Sequence, residues 1–138
     1  MLALAVAACG GGGGTSAERF CRETQENRDA IVTPLLDTDA NVDELLRLYR
    51  RLADVAPPAI EDEWAMLVRN VETASTVVPD DPESVQRVMT QAFATERSAV
   101  AVRDWVLANC AVDLGPVSTI TPHGPVSVPT VPPTDGAG

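Results

Sequence analysis

Residues 80–110 read DDPESVQRVMTQAFATERSAVAVRDWVLANC. Asp80-Asp81-Pro82-Glu83 is a stop and restart signal. Asp81 suits an N-cap, where a short side-chain oxygen accepts from a first-turn N–H, and Pro82 suits the first helical position, whose N–H has no intrahelical partner. Behind this signal Val85, Val88, Met89, Ala92 and Phe93 recur on one face, and Ala99, Val102, Val106 and Cys110 continue along much the same side. The spacing predicts either one long helix to Asn109 or two helices that break between Thr95 and Ser98.

Working back towards the start, three more helical segments precede this one. Thr15 and Glu18 have the spacing of a capping box, and Phe20, Cys21, Thr24, Arg28, Ile31 and Leu35 follow at helical intervals until Pro34 limits the end. Asp37, Asp39, Asn41 and Asp43 imitate the start of a calcium loop, but the sixth position is Val42 where the turn needs glycine, and the twelfth is Leu48 where a bidentate Glu is needed. The run therefore reads as an acidic loop with Asn41 as N-cap and Glu44 completing the box. Leu45, Leu46, Leu48, Tyr49, Leu52 and Val55 then form a second stripe, with Arg47, Arg50 and Arg51 towards water. Pro57-Pro58 stops that helix and is placed to open the third, whose first turn holds Glu61, Asp62 and Glu63, where carboxylates favour the positive end of the helix dipole. Ile60, Trp64, Leu67, Val68, Val71 and Val78 make its apolar stripe.

Four helical segments joined by short loops predict an all-α antiparallel four-helix bundle over residues 16–114, running up-down-up-down. That topology sets the start of the first helix beside the end of the last, where Cys21 and Cys110 fall.

The third cysteine has a different context. Leu4-Ala5-Val6-Ala7-Ala8 is apolar and ends in small residues at Cys9, followed by five glycines from Gly10 to Gly14. A secretory signal ends in this way so that a peptidase can reach an extended backbone. Val6-Ala7-Ala8-Cys9 resembles the lipobox of bacterial lipoproteins, in which the cysteine takes a diacylglycerol and becomes the first mature residue. No Lys or Arg precedes Cys9, so either the start lies upstream or the segment is an Ala-rich turn before a Gly linker. The expected organisation is a signal remnant over residues 1–8, a lipidated Cys9 and Gly linker over 9–15, the bundle over 16–114, and a disordered Pro/Thr/Val-rich tail over 115–138. With Cys9 carrying lipid, Cys21 and Cys110 remain as a pair that an oxidising compartment joins. On the chain-entropy model, closing so long a loop stabilises the fold by about 4 to 5 kcal/mol.

Composition narrows the function. Twenty Asp and Glu face ten Arg, with no Lys, for a net charge of -10, so nucleic acid is excluded as a partner by repulsion. Membrane attachment then rests on the two acyl chains of Cys9. The one histidine, His123, lies between prolines in the expected tail, where no rigid site holds it for nucleophilic catalysis. The three cysteines lack zinc-site spacing, and Gly10 to Gly14 lacks the Lys-Ser/Thr of a phosphate loop. No catalytic residue, metal site or cofactor is therefore expected, and Trp64 and Trp105 are read as core.

Ala56-Pro57-Pro58-Ala59-Ile60-Glu61-Asp62-Glu63, the cysteine in the first helix, and Asn109-Cys110-Ala111-Val112-Asp113-Leu114 together resemble a group of small helical lipoproteins and secreted proteins of actinobacteria, mostly uncharacterised. The resemblance spans about residues 16–114, and that group commonly has Gly where this chain has Ala111. It implies a location and a fold and brings no catalytic residue. The expected function is a membrane-anchored cell-surface module that binds another envelope protein through an acidic helical face. The alternatives are a carrier of small molecules or lipid in an inter-helix pocket, and an enzyme built on Glu61, Asp62, Glu63, Asp80 and Asp81.

Overall fold

The structure, a computed structural model, describes residues 14–117. Cys9, the expected signal remnant and nearly all of the expected tail lie outside the described residues. Five helices and no strand are formed among the described residues: α1 (Ser16–Glu26), α2 (Arg28–Val32), α3 (Asp39–Ala53), α4 (Glu61–Ser75) and α5 (Pro82–Cys110). The fold is an all-α bundle in which α1 packs on α5 and α3, α3 on α4, and α4 on α5. Across the α3–α4 pair the indole Nε1 of Trp64 donates to the Tyr49 carbonyl at 2.9 Å, and Arg50 pairs with Glu72 at 2.8 Å.

Of the two readings of the last segment, the single helix is the one formed. α5 runs unbroken for 29 residues, roughly 43 Å. Thr95 was the weak point, because a buried hydroxyl competes with helical geometry. Its Oγ1 donates to the Gln91 carbonyl at 2.7 Å, one turn back, so the hydroxyl is satisfied without leaving the helix. Asp81 caps the start, accepting from the Glu83 N–H at 3.0 Å, and the Val78 N–H donates to Ser84 Oγ at 2.9 Å, which closes the α4–α5 turn.

The other boundaries follow their caps, with three corrections. Thr15 and Glu18 form the expected box: Thr15 N–H donates to Glu18 Oε2 and Glu18 N–H to Thr15 Oγ1. The first segment, however, does not continue to Pro34. It breaks at Asn27, whose side-chain Nδ2 and backbone N–H both donate to the Glu23 carbonyl, the acceptor that a continuing helix uses once. The N-cap of α3 is Thr38 and not Asn41, because Thr38 Oγ1 accepts from the Asn41 N–H at 3.2 Å and starts the helix three residues earlier. Pro57 and Pro58 precede α4 and do not sit in its first turn: the Pro57 carbonyl accepts from the Ile60 N–H, and α4 begins at Glu61. Ile60 offers no side-chain cap, so the α4 N-terminus relies on Glu61, Asp62 and Glu63 for its complement of negative charge.

The core sits towards the C-terminal end of α5. Phe20, Leu48, Leu52, Ile60, Trp64, Val102, Val106 and Val112 form one buried cluster, drawn from α1, α3, the α3–α4 loop, α4, α5 and the segment after α5. Elsewhere along α5 the buried positions are Ser84 and Thr95, small and polar. α1, at 11 residues or roughly 16 Å, is too short to cover all of α5. Three residues assigned to apolar stripes are exposed: Leu35 at 71 %, Val78 at 53 % and Phe93 at 57 %. Leu35 lies in the loop beyond α2 and Val78 in the α4–α5 turn, while Phe93 lies about 200° around the helix from the buried Thr95, on the opposite side.

The end of α5 turns on Ala111, which holds φ 53° in the left-handed region, and folds the buried Val112 back onto the core. An L-residue with a Cβ pays about 1–2 kcal/mol for that conformation, whereas glycine takes it freely. Ala111→Gly is expected to raise stability by about 0.5–1 kcal/mol, the gain being reduced by glycine's greater freedom in the unfolded chain; urea unfolding checks it, and a loss would contradict the left-handed assignment.

Candidate functional site

The end of the bundle where α1 meets α5 is held both by a covalent link and by ring packing. Cys21 and Cys110 lie at disulfide distance, Sγ to Sγ 2.05 Å with Cα atoms 5.1 Å apart, and join the middle of α1 to the last residue of α5. Beside them the Phe20 ring stands edge-on to Trp64, centroids 5.1 Å apart at 88°, and to Trp105 at 6.0 Å and 74°. Tyr49 also packs against Trp64, tilted at 33° with centroids 5.3 Å apart. Burial pushes the Tyr49 phenol up to about 12. Arg28 Nε donates to the Asp113 carbonyl at 2.7 Å and ties the start of α2 to the segment after α5. Trp64 is fully buried and Trp105 packs against the cluster, so both aromatic residues belong to the core at this end of the bundle.

Thr24, one turn after Phe20, is buried too, and its hydroxyl finds no partner among the described residues. An unpaired buried hydroxyl weakens the packing of α1 by about 1–3 kcal/mol. The covalent link at Cys21 holds that same helix in place.

The carboxylates singled out from the sequence are not brought together. Glu61, Asp62 and Glu63 occupy the first turn of α4, whereas Asp80 and Asp81 follow its far end, separated by a 15-residue helix of roughly 22 Å. No group of three His, Cys, Asp or Glu able to hold a metal ion is formed among the described residues. Nor, among them, is any helix long and apolar enough to cross a membrane. Open concavities among the described residues include one of about 400 Å³ lined by Thr73, Glu83, Gln86, Arg87, Thr90 and Gln91 and another of about 620 Å³ along Phe93, Ala94, Glu96, Arg97, Ser98 and Val100. The first is open to solvent between α4 and α5, where polar and charged residues present mainly their apolar stems, and the second lies on α5 alone; neither is an enclosed pocket of the kind a carrier needs.

What the sequence reading missed is the outward side of α5. Phe93 and Leu107 are both more than half exposed, and Phe93, Val100 and Leu107 recur at intervals of seven, a spacing legible in the sequence once the inward side is set by Val102 and Val106. His123, like Cys9, lies outside the described residues. No protein-family model, curated protein or solved structure matches the chain.

Proposed function

We propose that this chain is an interaction module displayed at the outer face of a cell membrane, tied to it by a diacylglycerol on Cys9 and clamped by a disulfide between Cys21 and Cys110. The observation that carries the reading is the placement of the two sulfurs at bonding distance between the first and last helices of the bundle. Such a bond persists outside the reducing cytosol, and its formation uses two of three cysteines. Cys9, set before five glycines, is then the one left for the lipid. An interaction role is supported by a filled aromatic end, by carboxylates spread over separate helix ends, and by an acidic exterior with its charges in water.

Membrane fractionation of the full chain and a Cys9→Ala variant tests the reading. The native chain is expected in the membrane fraction, released by detergent but not by 1 M salt, because acyl anchoring is apolar while surface adsorption is screened at about that ionic strength. The Cys9→Ala variant is expected to move to the soluble fraction. Equal partitioning of the two would refute the anchor.

A further inference from the structure

We infer that the outward face of α5 is a self-association surface, on which a second copy of this chain docks its own α5 antiparallel, about a two-fold axis passing close to Val100. Met89, Phe93, Glu96, Val100, Arg103 and Leu107 are spaced alternately four and three residues apart, which sets them in one seam along the helix. The seam points away from the buried Thr95, Val102 and Val106, and Phe93 and Leu107 expose 57 % and 52 % of their surface along it. Large apolar side chains in a row on an outward helix face mark an interaction site more than scattered ones do.

The identity of the occupant comes from the symmetry of the seam and its charge. Centred on Val100, antiparallel pairing sets Phe93 against Leu107 of the second copy, Val100 against Val100, and Glu96 next to Arg103, each contact occurring twice as a two-fold interface requires. A parallel arrangement puts Glu96 beside Glu96 and Arg103 beside Arg103, like against like. Arg103 is also held at 2.7 Å by its neighbour Asp104, so in the pair it bridges two carboxylates. Within α5 the acids Glu83, Glu96 and Asp104 balance Arg87, Arg97 and Arg103, so the whole net charge of -10 lies outside this helix. α5 is thus the element across which two acidic copies approach with least repulsion. A seam of roughly 21 Å from Phe93 to Leu107 is short for an interface, so the association expected is weak and reversible. The inference deepens the interaction reading by naming a partner, and its test is a solution measurement that the anchoring result does not affect.

Sedimentation velocity on the full chain with Cys9→Ser, over a concentration series to roughly 200 µM, is expected to show reversible dimers. Glu96→Arg and Arg103→Glu, each of which sets like charges together, should weaken dimerisation by about tenfold or more, and the double swap should restore it to within about threefold. In the same background Val100→Cys should form an intermolecular disulfide readily, and Ala94→Cys, on another side of α5, should not. Circular dichroism on each variant verifies that the exposed substitutions leave the helices intact. A chain that is monomeric throughout the series overturns the proposal, as does a double swap no better than the singles.

Discussion

Replacing both Cys21 and Cys110 with serine is expected to lower the melting temperature by on the order of 15 °C. Removing a native disulfide from a small domain costs about 2–5 kcal/mol, and for a domain of this size each kcal/mol shifts the melting point by about 4–8 °C. The bridge spans 89 residues of sequence, near the long end of the loops for which the chain-entropy term is largest. The loss should also be uneven. α1 buries only Phe20 and Thr24, the second with an unpaired hydroxyl, so it is held mainly by Phe20 and the sulfur link. Hydrogen exchange in the double variant should therefore rise first over residues 16–32, while α4 and the adjoining part of α5 stay protected. A melting point within about 2 °C of the parent would show that the bridge does not constrain the fold.

Trp64→Ala is expected to remove about 3–5 kcal/mol, a fifth or more of the roughly 5–15 kcal/mol that stabilises a domain of this kind. The side chain is fully buried, meets the rings of both Phe20 and Tyr49, and donates its indole N–H to the Tyr49 carbonyl at 2.9 Å. Truncation leaves a cavity where α1, α3, α4 and α5 converge. Trp105→Ala is expected to be milder, since that indole is only half-buried and meets Phe20 at the longer distance of 6.0 Å. Urea unfolding checks the order of the two; an equal or inverted order would mean that the core is not centred on Trp64.

Much of the fold was legible in the sequence, and the reasons are local. Asp81-Pro82, Thr15 with Glu18, and the acidic triplet at Glu61 to Glu63 act within one turn of where they stand, so their roles were readable from spacing alone. The pairing of Cys21 with Cys110 was readable because an up-down-up-down bundle sets the start of its first helix beside the end of its last, where the two cysteines fall. The misplacements concern competition and register. Asn27 breaks the first helix by taking up the Glu23 carbonyl with its side chain as well as its backbone, and Thr38 starts α3 ahead of Asn41 because its hydroxyl reaches the Asn41 N–H first. Phe93 was grouped with the inward residues because Ala92 and Met89 beside it fit a broad stripe; only the burial of Thr95 fixes which side of α5 faces in. A buried threonine is a poor hydrophobic signal, and so the outward seam went unread. The proposed lipidation of Cys9 rests on a processing enzyme and a compartment, which lie outside the chain's own physics.

Intact mass spectrometry of the protein isolated from its native membrane tests the central claim most directly. The account predicts a mature chain that begins at Cys9, carries the mass of a diacylglycerol, and is lighter by two hydrogens than its reduced form owing to the Cys21–Cys110 bond. A mass without acyl addition, with all three thiols open to alkylation, would contradict it.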